Sequence, residues 1–489
     1  MRQPSEDRAL YLRQLRATVI GTFLPELTSP TAVDAAGLVD RILAELIVEE
    51  EWAEALSREF GAEFSALLPD ADADTDTDTD ADTDTDTVTP ERFGELRRRA
   101  AEVVAEHAAS DVAAEREQCR RLVDVEHGFL ERVDELRRDV LEEQLEADAG
   151  ASPTACSLSR EQLTDYLRVE LPASPDLVVA SMEVIPGGRS KETILVSLTG
   201  TSELPDEVVV RRDRPVGILQ TRAADEFAIL QAVYAQGDVP VPRPFFAGEL
   251  EEGTLLVMAR VSGRKAGEYF PDLAAPTEHR HTLGEQLAAA LAHVHRVPLE
   301  NLAASSLDVD AAVTEASVTA AVEGMAARIA ELSGPPIVAV PLARQWLLDH
   351  VADVVPSGPL RLLQGDVGLH NMLVDGDRVT ALVDWEAATV GPPARELAAA
   401  WPAATALMEW AEFVDAYRAA GGPPEGTNEQ AVAFYRVFFA LGACMSSRTG
   451  GHFFRTGAKR DLLTAHSGLD AHFRAQRNLA RALEDALTG

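Results

Sequence analysis

The stretch from Leu362 to Glu386 reads L-L-Q-G-D-V-G-L-H-N-M-L-V-D-G-D-R-V-T-A-L-V-D-W-E and carries three polar side chains, Asp366, Asn371 and Asp384, at spacings with a chemical meaning. Transfer of a phosphoryl group to a hydroxyl needs one carboxylate to orient and deprotonate the attacking oxygen. It also needs an amide and a second carboxylate to hold Mg2+ against the nucleotide phosphates. The apolar runs Met372 to Val374 and Val379 to Val383 read as two short strands, and Asp375-Gly376-Asp377 supplies the residue types of a tight hairpin turn. The hairpin returns Asp384 to the side of Asn371. A surface hairpin using Asp and Asn only as turn formers leaves the Q-G-D turn, the Asn five residues on and the D-W-E unexplained.

This segment resembles the catalytic-loop motif of the aminoglycoside phosphotransferase-like (choline kinase-type) family of small-molecule kinases, in which H-G-D-x4-N is followed by D-x-[DE]. The resemblance covers the chain from about Ser159 onward. It implies an α+β, protein-kinase-like two-lobed fold, with a small β-rich lobe and a mostly helical one. It also implies ATP and Mg2+ as cofactors, Asp366 as catalytic base, and Asn371 and Asp384 as metal ligands. Gln364 stands where the family usually has His; that residue supports the loop through hydrogen bonds, which Gln can also donate and accept.

The elements needed to position such a site lie upstream in the right order. Leu177 to Ile185 reads as a strand, Pro186-Gly187-Gly188 breaks it, and Thr193 to Leu198 resumes it. Backbone N–H groups of such a glycine turn can approach a phosphate. The following R-S-K-E-T, with Ser190, is similar to the family's G-G-x-S-N-x-T, with Lys191 where Asn is commoner. The strand Glu207 to Arg211 ends in the cation that, in this scheme, binds the α and β phosphates. Arg211 in place of Lys resembles the branch related to the kinase domains fused to acyl-CoA dehydrogenases, and Arg can grip phosphate bidentately. Thr221 to Gln236 reads as a helix whose Glu226 is the natural ion-pair partner of Arg211. The proline-rich Val239 to Pro244 must be extended. Thr254 to Met258 is the next strand, and Ala259-Arg260-Val261 is the expected hinge, so Met258 and Arg260 join Gly187, Gly188, Ser190, Arg211 and Glu226 as candidate nucleotide-binding residues.

Beyond the hairpin, G-P-P-A-R-E-L-A resembles the family's G-D-P-x-x-D-L-A, with Pro392 and Glu396 replacing the two Asp residues. Glu386 shares the face of Asp384 and is expected to assist the metal or to bond the backbone. Apolar spacing predicts a helix over His279 to His295, and C-terminal helices including Trp401 to Ala420 and Asn428 to Arg448. Tyr435, Arg436, Arg448 and His452 are candidates for lining an acceptor pocket, with core and surface placements equally compatible. No long activation segment follows Asp384, which argues against a regulated protein kinase.

The 489 residues, 46% of them hydrophobic, can bury more than one core. Three cysteines, Cys119, Cys156 and Cys444, are too scattered for a disulfide framework or a zinc site. No long apolar run and no signal-peptide core are present, which predicts a cytoplasmic protein that binds no membrane. The net charge of −37 also argues against nucleic acid as a partner.

The first 150 residues read as a separate acidic helical domain, holding 38 acidic and 16 basic side chains. Leu10 to Phe23, Thr31 to Leu46 and Glu49 to Leu68 have helical spacing, as does the stripe Leu122, Val125, Phe129, Val133, Leu136 and Val140 within Glu91 to Ala147. Between them, Asp70 to Thr87 sets nine aspartates at alternate positions and is expected to be a disordered loop. The linker 149–154 ends this domain, and Ser159 to Gln162 looks like a capping box. A nucleotide-binding lobe over 159–262 and a catalytic, acceptor-binding lobe over 263–489 follow. Homodimerisation, cover for the substrate cleft and buttressing are the roles open to the N-terminal helices.

The reading that unites these features is an ATP- and Mg2+-dependent O-phosphotransferase acting on a small hydroxylated molecule, either a hydroxyacyl-CoA or an antibiotic, aminoglycoside-like alcohol. The alternative is a nucleotide-binding pseudokinase with a regulatory helical domain. The intact Asp366, Asn371 and Asp384 set favours the enzyme.

Overall fold

The computed structural model describes residues 4–27, 30–68, 88–148, 158–185, 191–213, 222–250, 253–267, 278–309, 312–355, 358–458 and 462–488. The Asp/Thr run 70–87, the 149–154 linker, and Gly187, Gly188 and Ser190 lie outside these residues.

Four helices open the chain: α1 (Pro4–Thr18), α2 (Pro30–Leu67), α3 (Pro90–His107) and α4 (Ala113–Asp148). The spacing predicted two helices over 31–46 and 49–68, but α2 runs unbroken, because neither Gly nor Pro stands between Leu46 and Glu49 to stop it. Thr89 caps α3 by accepting from the Arg92 N–H. Phe60, Phe64, Phe93 and Phe129 meet edge to face, with centroids 5.1–5.9 Å apart, and knit α2, α3 and α4 together.

Helix α5 (Arg160–Glu170) starts at the expected capping box, in which Ser159 and Gln162 exchange hydrogen bonds. It leads into β1 (Val178–Ile185), β2 (Lys191–Thr199), β3 (Glu207–Asp213), α6 (Ala223–Gln236), β4 (Pro244–Leu250) and β5 (Gly253–Ala259). These strands form an antiparallel sheet in the order β1-β2-β3-β5-β4. Strand alternation divides its faces. Val208, Val210, Ile194, Val196, Leu255 and Val257 pack on Leu163 and Leu167 of α5 in one core. Val209, Leu256 and Met258 point to the other core, shared with α6 and the helical lobe. Because Thr193 pairs with Arg211 and Lys191 with Asp213, Lys191 and Arg211 lie diagonally on that second face.

The helical lobe contains β6 (Arg264–Lys265), α7 (Arg280–Val294), α8 (Glu315–Glu331), α9 (Val340–Val354), β7 (Arg361–Leu363), β8 (Met372–Asp375), β9 (Arg378–Leu382), β10 (Thr389–Gly391), α10 (Pro393–Leu407), α11 (Trp410–Ala419), α12 (Glu429–Thr456) and α13 (Leu462–Thr488). Strand β6 adds to the β8–β9 hairpin, and β7 pairs with β10. The N-terminal helices dock here, with α2 and α4 packing along α13. Residues 401–420, expected as one helix, are two, broken at Met408 and Glu409. Trp401 and Trp410 explain the break: nine residues apart on one helix they would face opposite ways, whereas their rings lie 4.3 Å apart. No described helix is long and apolar enough to cross a membrane.

Candidate active site

The β8–β9 hairpin turns at Gly376, whose φ of 63° needs glycine's freedom, and Asp375 pairs with Arg378. The Val383 N–H donates to the Asn371 carbonyl over 2.9 Å, so Asp384 follows directly beside Asn371, as the sequence predicts. Trp385 fixes this end. Its indole is fully buried and donates to the Leu382 carbonyl over 3.1 Å.

Asp384 itself sits at φ 63°, ψ 70°, a left-handed conformation costly for a residue with a side chain. Gln364 helps hold it there: its Nε2 donates to the Asp384 carbonyl over 2.7 Å and to the Val383 carbonyl over 3.1 Å. Its Oε1 accepts from the Asp366 N–H over 2.8 Å. Gln364 thereby uses both donor and acceptor to join the loop to the hairpin end. Asn371 donates from Nδ2 to the Asp366 carbonyl over 3.0 Å and to Asp366 Oδ2 over 2.9 Å. His370 Nε2 lies 3.3 Å from the same Oδ2.

Arg211 crosses from the sheet to this loop. Its Nη1 meets Glu226 of α6 at 2.7 Å, and its Nη2 meets Asp384 at 2.8 Å and Glu386 at 3.4 Å. Burial opposes its charge, but Glu226, Asp384 and Glu386 together hold its pKa above the ordinary arginine value. Burial raises the Glu226 carboxyl despite the pull of Arg211, and Asp384 adds to the rise. Lys191, with only 2% exposure, lies 3.3 Å from Glu386 and 3.7 Å from Asp213. Glu386, expected to assist a metal or bond the backbone, therefore stands between two cations of the sheet lobe.

The expected hinge residues are placed differently. Met258 is buried against β3 opposite Val209. The Arg260 side chain pairs with Glu207 at 2.7 Å on the surface, leaving its backbone as the part that can face a ligand. Of the acceptor-pocket candidates, Tyr435 is buried in the core and Arg436 stacks on Trp401 at 3.8 Å. Arg448 and His452 reach the 332–335 segment.

Sequence reasoning missed a buried relay behind the loop. Glu396 accepts from the Gly365 N–H over 2.9 Å and lies 3.1 Å from His295 Nε2, whose Nδ1 is 2.7 Å from the Tyr417 hydroxyl. Burial, reinforced by Glu396, pushes the Tyr417 phenol above its usual range. No local pattern marks His295 or Tyr417; both meet their partners across more than a hundred residues. His370 and Lys191 carry a visible signal, one inside D-x4-N and the other at a departure from the family pattern.

The profile of the phosphotransferase enzyme family (APH) matches residues 181–435, more than half of the chain. The chain belongs to that family and is a phosphotransferase with the two-lobed kinase-like fold. It is 27% identical over 203 residues to acyl-CoA dehydrogenase family member 11 of Pongo abelii, covering 39% of this chain and 25% of that protein. This chain thus spans about a quarter of that relative's length. Among solved structures, a macrolide 2'-phosphotransferase of Brachybacterium faecium is similar at 20% identity and TM-score 0.43, over 62% of this chain and 97% of that one. The GDP complex of aminoglycoside 2'-phosphotransferase-IIIa is similar at 15% identity and TM-score 0.44, over 64% and 98%.

Proposed function

We propose that the protein transfers the γ-phosphate of ATP to a hydroxyl of a small molecule, with Asp366 as the base. The observation that carries this reading is Arg211, which joins the α6 glutamate to Asp384, while Asp384 follows Val383, bonded to Asn371, and Asn371 bonds Asp366. In this scheme Arg211, with Lys191 next to it, receives the nucleotide phosphates, and Gly187, Gly188 and Ser190, outside the described residues, belong to the same proposed nucleotide site.

Asn371 and Asp384 suit Mg2+. Both offer hard oxygen donors, the Asn371 Oδ1 takes no hydrogen bond among the described residues, and the Asp384 side chain is 33% exposed. Held by Asn371 and Asp384, such an ion would supply positive charge against the negative charge of the transferring phosphoryl group. Asp366, oriented by Asn371 and His370, takes the proton of the acceptor hydroxyl as the oxygen attacks. Gln364 and Glu396 keep the loop in register.

For the acceptor, the likeness to the acyl-CoA dehydrogenase relative, together with the resemblance of Arg211 on β3 to that branch of the family, favours a hydroxyacyl-CoA over an aminoglycoside-like alcohol. The separate domain 1–150 and the lobes 159–262 and 263–489 remain part of this proposal, as does a cytoplasmic site of action.

The test is Asp366→Asn, assayed with Mg-ATP against hydroxyacyl-CoA esters and aminoglycosides. Nucleotide binding is retained and turnover falls by ~100-fold or more. Full activity in the variant overturns the mechanism, and turnover only of aminoglycosides overturns the acceptor class.

A further inference from the structure

Large apolar side chains are not spread evenly over the surface of the chain. Five of the eleven that are exposed among the described residues, Leu10, Tyr11, Leu15, Ile20 and Phe23, fall in helix α1 and the wide helical turn Val19–Phe23 that continues it. An isolated exposed apolar residue needs no explanation, but a run of five does. These side chains are 43–74% exposed, and no residue from 10 to 27 is buried.

The segment spends only one stripe on its neighbour α2. Leu12, Arg16 and Val19, spaced four and three apart, are half-buried, and Arg16 pairs with Asp40 of α2 at 2.8 Å. Tyr11 and Leu15, one turn apart, share another flank and meet solvent instead. A helix with nothing to cover but α2 would carry polar residues on that flank.

We propose that this face is the contact between two copies of the chain, α1 of one protomer lying against α1 of its partner about a twofold axis. Its size fits. At these exposures the five side chains present roughly 400–600 Å² of apolar surface per copy. A stable interface buries about 800 Å² per partner, of which about 60% is apolar, or roughly 480 Å². Charge selects a second copy over other occupants. Residues 4–27 hold three basic and three acidic side chains, whereas residues 1–150 hold 16 basic against 38 acidic, a balance of −22. Two copies therefore meet at α1 without setting acid against acid. The acidic remainder of the domain repels an anionic lipid surface, and a basic partner is drawn to those acids rather than to a neutral apolar flank.

Sedimentation equilibrium of the full chain at micromolar concentration gives about twice the 52.6 kDa chain mass. Tyr11→Glu combined with Leu15→Glu weakens the association by about a hundredfold or more, because each change puts a charge into the contact. Both side chains are exposed, so the circular dichroism spectrum of the variant matches that of the parent. Val169→Glu, an exposed apolar position on α5, leaves the dimer intact. Raising salt from about 0.05 to 0.5 M keeps or tightens the association, since it screens the repulsion between two chains of net charge −37. A parent that stays monomeric overturns the proposal, including one that floats with lipid vesicles instead. So does a dimer that survives the double substitution, whose contact lies elsewhere, or one that salt dissolves, which ion pairs and not apolar surface hold together.

Discussion

Replacing Arg211 and replacing Glu226 remove opposite ends of one ion pair, yet the structure predicts unequal results. Arg211→Met leaves the Glu226 carboxylate, only 1% exposed, without its 2.7 Å partner and also strips Asp384 and Glu386 of a cation. Stranding one buried charge in this way costs about 3–5 kcal/mol. Glu226→Gln instead removes a charge that burial already disfavours, and the amide oxygen still accepts from Arg211. Its cost is within about 1 kcal/mol. The two also differ with pH. Without the guanidinium, the Glu226 carboxyl rises further above its ordinary 4.5, so native Arg211→Met binds more protons than the unfolded chain. Its deficit is smallest below the ordinary value and grows as pH rises through the raised one. Urea unfolding followed by tryptophan fluorescence, at about pH 5.5 and pH 8, measures both effects. An Arg211→Met variant within about 1 kcal/mol of the parent at the higher pH, or a Glu226→Gln variant equally impaired, refutes the reasoning.

Asp384→Ala weakens Mg-ATP binding by about tenfold or more but leaves metal-free ATP little changed, because it removes a charged oxygen ligand; equal losses in titrations with and without Mg2+ contradict that role. Gly365→Ala destabilises the loop and abolishes turnover, since Gly365 has φ 88° and a Cβ would fall 2.0 Å from the Ala387 carbonyl oxygen; a fully active variant refutes the packing argument. His472, held at about 3 by burial and neighbouring arginines, stays neutral in the native state while the unfolded chain protonates near 6.5. Stability therefore falls by about 1.4 kcal/mol per pH unit over that window as pH drops. His472→Gln flattens this slope in urea midpoints, and an unchanged slope counts against the assignment.

The β8–β9 hairpin was legible because its information is local: turn residues, two short strands and three polar positions sit within 25 residues. Strands β1, β2, β3 and β5 and the Ser159 cap were readable for the same reason, whereas β4 and the order of strands in the sheet were not. Helix ends were less so. Thr31 to Leu46 and Glu49 to Leu68 read as two separate segments of helical spacing, but with no breaker between them the helix runs on. Conversely, the break at Met408 goes with a contact between two tryptophans that an unbroken helix would keep apart, which no propensity records. The same limit hid Lys191 beside Glu386, 195 residues away, and Arg448 on the Leu332 and Pro335 carbonyls. Long-range electrostatic partners are chosen by the fold, not by spacing.

Lys191 and Arg211 on one face of the sheet, gripping Glu386 and Asp384 on the other lobe, have a kinetic consequence. The carboxylates occupy the cations in the same sense that phosphates would, so nucleotide entry under the proposed scheme is an exchange of anionic partners. Part of the attraction is already satisfied beforehand, which limits affinity and leaves a waiting set of contacts to recapture the cations when the spent nucleotide departs. Such a site trades tightness for turnover: the chain's own acids compete with the product for the groups that bound the substrate.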